Sequence, residues 1–183
     1  MLQPTNQISP SLEYLVDQLL IKKKIEYIET QNKYDIKTRF GYKIFYAVED
    51  SDCLIRNCFG SIRPFDMRIL DYKKDEIIHL KRPLRCQRCC FPCCLQELEI
   101  SSPSGSIFGY VQQEWSIFPS KFKILNAARD VVLRIKGPIC PIIFSCCKDD
   151  IFNILSSDGK IKVGKISKVW LLPGTELDVE RVS

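Results

Sequence analysis

The sequence predicts a mainly β domain, an antiparallel barrel or sandwich entered through one N-terminal amphipathic helix. Short runs of β-branched and aromatic residues recur at near-even spacing from Ile25 onward. Turn signals such as Phe40-Gly41, Lys73-Lys74-Asp75, Pro103-Ser104-Gly105 and Ser157-Asp158-Gly159 stand between them. With 183 residues, 45% of them hydrophobic and 10% aromatic, the chain has the means for one full core and no excess for a second. No repeat of fixed period and no low-complexity block interrupts the pattern.

The elements follow in order. Residues 1–10 are polar and punctuated by Pro4 and Pro10, a flexible leader. From Ser11 to Ile21, Leu12, Leu15, Val16, Leu19 and Leu20 fall at helical spacing, so this is the predicted helix. Strands are expected over Lys33–Phe40, Tyr42–Val48, Phe65–Tyr72, Glu76–Leu80, Leu95–Ile100, Ile107–Trp115, Lys121–Asn126, Val131–Gly137, Ile151–Ser156 and Lys160–Trp170. After Pro173-Gly174 the alternation is lost, and Leu171–Ser183 reads as a polar, acidic extension. The expected organisation is a leader (1–10), a barrel domain (11–170) and a divergent polar tail (171–183).

Bulk properties exclude some functions. A net charge of +5 favours anionic surfaces such as phospholipid headgroups but falls short of the basic density that argues for nucleic acid. Asp17 and Gln18 break the early apolar run, so a secretory signal is not expected. No stretch approaches the ~20 apolar residues of a membrane-spanning helix; the best, Ile139–Cys147, contains Pro141. A cytosolic setting keeps thiols reduced, so an even number of cysteines is no evidence for disulfides.

Half of the ten cysteines crowd into Cys86, Cys89, Cys90, Cys93 and Cys94, between the basic Arg82-Pro83-Leu84-Arg85 and the alternating Leu95–Ile100. Three chemistries fit. Thioester acylation suits a cluster flanked by cations that hold it near headgroups, with Phe91 and Pro92 favouring an extended presentation. Zinc suits the spacings Cys86-x-x-Cys89 and Cys90-x-x-Cys93, with Cys146 and Cys147 as further ligands, although the two pairs abut instead of flanking a loop. Reduced, partly buried thiols in a connecting loop are the third reading. Cys53 and Cys58 are too few for a site alone, and Cys140, Cys146 and Cys147 flank an apolar run that packing explains.

Six motifs in order, Leu12-Glu-Tyr-Leu15, Asn32-Lys-Tyr-Asp-Ile-Lys37, Arg82-Pro-Leu-Arg-Cys86, Cys93-Cys-Leu-Gln-Glu-Leu-Glu-Ile100, Phe108-Gly-Tyr-Val111 and Val163-Gly-Lys-Ile-Ser-Lys168, resemble the phospholipid scramblase family. The resemblance runs from about Leu12 to Trp170. It implies a Tubby-like antiparallel β-barrel, incomplete in this chain, because in relatives the strands wrap an apolar C-terminal helix without a match here. It also implies that the matching cysteines, Cys86, Cys89, Cys90, Cys93 and Cys94, are palmitoylated. Two or more acyl chains, each adding ~0.8 kcal/mol per buried CH₂, would hold the domain on a bilayer.

The family's acidic calcium loop has no matching positions, so calcium is implied for the family and no ligand is carried over. Asp149-Asp150 and Glu49-Asp50-Ser51-Asp52 lack the staggered spacing that wraps the ion and read as turn solvation. Gly164, Lys165, Ile166, Ser167 and Lys168 are similar to a family stretch that serves as a non-classical nuclear import signal; the same residues read more readily as one half-buried strand. His79 shows no evident carboxylate partner, and Trp115 and Trp170 read as core or interfacial anchors. Lys22-Lys23-Lys24 suits either anionic lipid or the solvated end of the first helix.

No phosphate loop, metalloprotease motif or nucleophile elbow occurs, so no catalytic site is expected. The resemblance implies ATP-independent, bidirectional, calcium-stimulated movement of phospholipids between leaflets, by a protein held through acyl anchors at the cytoplasmic face of the plasma membrane, with the nucleus as a second location. Membrane phospholipids are the expected partners, with protein partners besides. The competing reading is a cysteine-rich, zinc-organised module that engages a protein or nucleic acid.

Overall fold

The computed structural model describes residues 18–24, 32–50, 64–85, 95–116, 120–138, 149–169 and 179–182; for residues 65, 149–150, 168–169 and 179–182 it describes the backbone alone. The described chain is β throughout: β1 (Leu19–Lys24), β2 (Lys33–Thr38), β3 (Lys43–Asp50), β4 (Phe65–Leu70), β5 (Glu76–Arg82), β6 (Glu97–Ser101), β7 (Ile107–Glu114), β8 (Lys121–Asn126), β9 (Val131–Lys136), β10 (Asp149–Ser156), β11 (Lys162–Val169) and β12 (Val179–Val182). From β1 to β11 each strand pairs antiparallel with its chain neighbour, making one meandering sheet. The short β12 pairs with β11 on one side and β1 on the other, and so joins the two edges into a barrel.

The register explains the barrel. Following residues opposite one another around the sheet gives two sets of side chains, because successive residues of a strand point to opposite faces. One set contains Ile21, Ile36, Phe45, Ala47, Ile69, Ile78, Leu80, Ile100, Ile124, Leu133, Ile135, Ile154 and Ile166. The other contains Lys24, Asp50, Lys81, Lys136, Ile151 and Lys165, all of them exposed. The first set, mainly apolar but including Lys23 and Glu49, lines the interior, and the second faces outward with its charges beside apolar residues such as Tyr110 and Leu125. No helix among the described residues is long and apolar enough to cross a membrane.

Tight turns join alternate strand pairs where the sequence places turn chemistry. Asp71 Oδ1 accepts the backbone N–H groups of Lys73 (2.7 Å) and Asp75 (3.0 Å), folding the chain between β4 and β5. Gly105 and Gly159 take φ of 88° and 76° in the turns after β6 and β10, a left-handed conformation that glycine adopts without steric cost. Gly109 is required for a different reason. A Cβ there would lie 2.2 Å from the carbonyl oxygen of Leu125, so β7 and β8 approach more closely than any side chain permits.

Two expectations are corrected. Leu19, Leu20 and Ile21 lie in β1, so the predicted helix does not run to Ile21; residues 11–17 lie outside the described residues. Leu19 and Ile21 pair across to Thr38 and Ile36, and a strand buries their side chains where a helix would leave β2 with an open edge. The polar tail contains a strand: Val179–Val182 pairs on both sides despite its charges, because Glu180 and Arg181 sit within a four-residue strand whose backbone groups close the sheet.

Candidate functional site

Because neighbouring strands alternate in direction, connections alternate between the two rims of the barrel. The five tight turns, 39–42, 71–75, 102–106, 127–130 and 157–161, all lie at one rim. The longer connections, 25–32, 51–64, 83–96, 115–120, 137–148 and 170–178, all leave and re-enter at the other. Cys53 and Cys58, the cluster Cys86, Cys89, Cys90, Cys93 and Cys94, and Cys140, Cys146 and Cys147 belong to three of these longer connections. The cysteines themselves lie outside the described residues. The strand ends that flank all three thiol-bearing connections lie at one rim.

What the structure does describe is the base from which the main cluster departs. The Arg85 guanidinium Nη1 donates to the carbonyl of Leu95 at 3.0 Å, and Gln96 Nε2 donates to the carbonyl of Arg85 at 2.8 Å. These two bonds clamp the ends of the 86–94 segment together. Gln96 is in turn fastened to β7: its N–H donates to Gln113 Oε1 (3.2 Å), and Gln113 N–H donates to its carbonyl (2.8 Å). A segment clamped at both ends can reach no farther from the rim than about half its extended length, ~3.3–3.6 Å per residue. Leu84 beside the clamp is exposed, as is Trp115 on the neighbouring connection. Trp115 is therefore not a core residue; Trp170 lies outside the described residues.

The import-like stretch has a defined place. Gly164, Lys165, Ile166, Ser167 and Lys168 lie within β11, paired to β10 through Ile154, Asn153, Phe152, Ile151 and Asp150. On the other edge Ile166, Ser167 and Lys168 pair with Val182, Arg181 and Glu180. Lys165 is exposed, while Ile166 and Ser167 are half-buried.

Of the acidic residues singled out, Glu49 and Asp50 are described and each is engaged elsewhere; Asp52 and the side chains of Asp149 and Asp150 lie outside the described residues. Glu49 is 2% exposed and accepts a 2.7 Å hydrogen bond from Asn32 Nδ2, while Asp50 faces Arg68 at 4.0 Å. Among the described residues no group of three or more His, Cys, Asp or Glu side chains could hold a metal ion. Calcium therefore has no fitting donor set there.

His79, read from sequence as lacking a carboxylate partner, has two. Its Nε2 lies 2.6 Å from Asp66 Oδ1 and its Nδ1 3.2 Å from Glu76 Oε1. The register shifts between Ile69 and Leu70, which oppose Ile78 and Glu76, so Ile77 is an extra residue that brings Glu76 to the face of His79. The hairpin turn at Lys73-Lys74-Asp75 would have suggested Asp66; nothing in the sequence marks the bulge.

Outward charges on β7 to β9 form a second constellation. Glu114 is bonded by both Lys123 Nζ (2.8 Å) and Arg134 Nη1 (2.9 Å). Partial burial pushes its carboxyl up, but the hydrogen bond and charge of Lys123, with the charge of Arg134, outweigh this and hold it below the ordinary value.

The sequence matches the scramblase family model over residues 1–177. It is 53% identical over 175 residues to phospholipid scramblase 2 of Bos taurus, covering 91% of this chain and 59% of that protein. It is 49% identical to phospholipid scramblase 1 of Homo sapiens, covering 92% of this chain and 55% of the relative. Phospholipid scramblase family member 5 of Homo sapiens is 42% identical, with 91% and 64% covered. The chain thus spans a little over half the length of the first two relatives. No solved structure matches it.

Proposed function

The chain belongs to the scramblase family, and from that premise we propose that it works at phospholipid bilayers, in ATP-independent, bidirectional movement of phospholipids between leaflets. The barrel is of the kind seen in Tubby proteins, and it rests on the membrane instead of crossing it. The observation that supports this reading is the clamp at one rim, Arg85 to Leu95 and Gln96 to Arg85, which flanks the segment containing Cys86, Cys89, Cys90, Cys93 and Cys94. Acyl chains on two or more of these thiols would give lasting attachment where one gives only marginal binding. The cytoplasmic face of the plasma membrane is the proposed location.

The outward charges of the barrel keep it out of hydrocarbon, where an unpaired charge is costly. Headgroup passage needs a polar path across the bilayer, and the described strands offer none facing lipid. The barrel accordingly anchors and positions, and passage of headgroups depends on an element outside the described residues or on a partner. The calcium stimulation that the family resemblance implies has no ligand set among the described residues, so no step is assigned to the ion.

Reconstitution tests this. The purified chain, acylated in cells, is placed in liposomes with a headgroup-accessibility readout at high and low calcium. The expected result is stable attachment with little lipid movement by the chain alone; fast calcium-dependent movement by the chain alone would overturn the division of labour.

A further inference from the structure

The outward wall formed by β8, β9, β10 and β11 is one of two cationic walls; the other, on β1 and β2, sets Lys24 directly opposite Lys33 but includes Asp35, 3.8 Å from Lys24 and 2.8 Å from Lys43. The register of β8 and β9 stacks like charges: Lys121 stands directly opposite Lys136, and Lys123 directly opposite Arg134. Lys165 and Lys162 extend the wall, opposite Asn153 and Leu155. Like charges placed directly across a strand pair destabilise a sheet. Glu114 relieves the second pair, holding both Lys123 and Arg134. The first pair has no carboxylate within ion-pair distance among the described residues, and no described side chain on the outward face of these four strands is acidic. Asp149, by register, falls on this face at the strand end. The acids in the adjoining turns are committed locally: Asp130 bonds Asn126 and Asp158 bonds Ser156.

The wall formed by β3 to β6 is richer in acids, although Arg68, His79 and Lys81 share its outward face. Asp50 opposes Asp66, and Glu99 opposes Lys81 in the same row, with Glu97 nearby on β6. On the β8–β11 wall Lys121, Lys136 and Lys165 are thus bonded to no carboxylate among the described residues, while acids gather on β3 to β6, a bias that favours this wall before an anionic surface.

We infer that the β8–β11 wall is a docking face for the anionic surface of a phospholipid bilayer. Two observations favour lipid over nucleic acid. Val132 and Ile151, 48% and 40% exposed, stand among the cations, and Trp115, 53% exposed, sits where β7 leads toward Lys121. Apolar and indole side chains interspersed with lysines suit the headgroup boundary of a bilayer. Phosphate contacts with nucleic acid need no aliphatic neighbours. The Lys121 and Lys136 pair also lies at the rim of the cysteine connections, linked to the clamp through Gln96, Gln113 and Glu114 on β7. One orientation brings both to the same membrane, yet the electrostatic contact does not require acyl chains, so each can fail without the other.

The test uses the full chain made without acylation and sedimented with phosphatidylcholine vesicles, with and without phosphatidylserine. Binding is expected only with phosphatidylserine, and it should weaken as salt rises. Replacing Lys121, Lys136 and Lys165 together by Gln should weaken it roughly a hundredfold, at about fivefold for each lysine. Lys121→Arg with Lys136→Arg should retain it, as should Lys73→Gln with Lys74→Gln at the opposite rim. Circular dichroism of each variant separates lost binding from lost fold. Undiminished binding by the folded triple variant, equal binding to neutral vesicles, or displacement from vesicles by duplex DNA would overturn the inference.

Discussion

His79 on β5 and Asp66 on β4 are held with Nε2 and Oδ1 2.6 Å apart, on the outward face of the barrel. Both side chains are about a third exposed, at 31% and 39%, so solvent screens the pair. A double-mutant cycle with His79→Ala and Asp66→Ala should give a coupling of about 0.5–1 kcal/mol in denaturant unfolding. A coupling indistinguishable from zero would mean that the pair does not join β4 to β5.

Gly109→Ala should destabilise the barrel by about 1–3 kcal/mol, since the new Cβ would meet the Leu125 carbonyl at 2.2 Å and backbone must shift. Gly41→Ala is a useful contrast: nothing lies within 4 Å of its Cβ, and the cost arises from a φ of +86°, about 1 kcal/mol. Thermal unfolding of the two variants should therefore rank Gly109→Ala as the more damaging.

Asn32→Leu should cost about 1–3 kcal/mol, because Glu49, 2% exposed, loses its 2.7 Å donor while remaining buried. The second link between them, from the Glu49 N–H to the Asn32 carbonyl (2.9 Å), is backbone and survives the substitution. Urea midpoints of the variant and wild type measure the difference.

Glu114 gives a pH dependence of definite sign. Its carboxyl is held below its ordinary value of 4.5 by Lys123 and Arg134, against the opposing effect of burial. The folded chain thus binds the proton more weakly than the unfolded chain, and the stabilisation is fully present above pH 4.5 and lost as pH falls through the folded value. Wild type should exceed Glu114→Gln by about 1 kcal/mol at neutral pH, and the two should converge in acid.

Strand by strand, legibility followed alternation. Lys121–Asn126 and Val131–Lys136 were readable because Phe122, Ile124, Leu133 and Ile135 alternate with cations, the pattern of a wall apolar inside and charged outside. β1 was misread because Leu12, Leu15 and Val16 continue into Leu19 and Leu20 at helical spacing, and only pairing with β2 and β12 decides the conformation. β12 was missed because four residues with two charges give too short a signal, and one of its two partners, β1, lies at the other end of the chain.

The candidate site was legible as a composition and not as a place. The crowding of Cys86 to Cys94 is plain in the sequence, whereas the clamp at Arg85, Leu95 and Gln96 and the shared rim of all three cysteine-bearing connections follow only from consecutive strand pairing. The stacked Lys121 and Lys136 are also invisible without register, since fourteen intervening residues separate them along the chain.

The central claim is that acyl chains on the clamped segment hold the barrel to a bilayer, and acyl exchange on the protein from cells tests it most directly. Hydroxylamine-sensitive labelling should be present on the wild-type chain and lost, together with membrane sedimentation, when Cys89, Cys90, Cys93 and Cys94 are replaced by serine. A wild-type chain without label that stays in the soluble fraction, or that carries stoichiometric zinc on those thiols instead, would contradict the account.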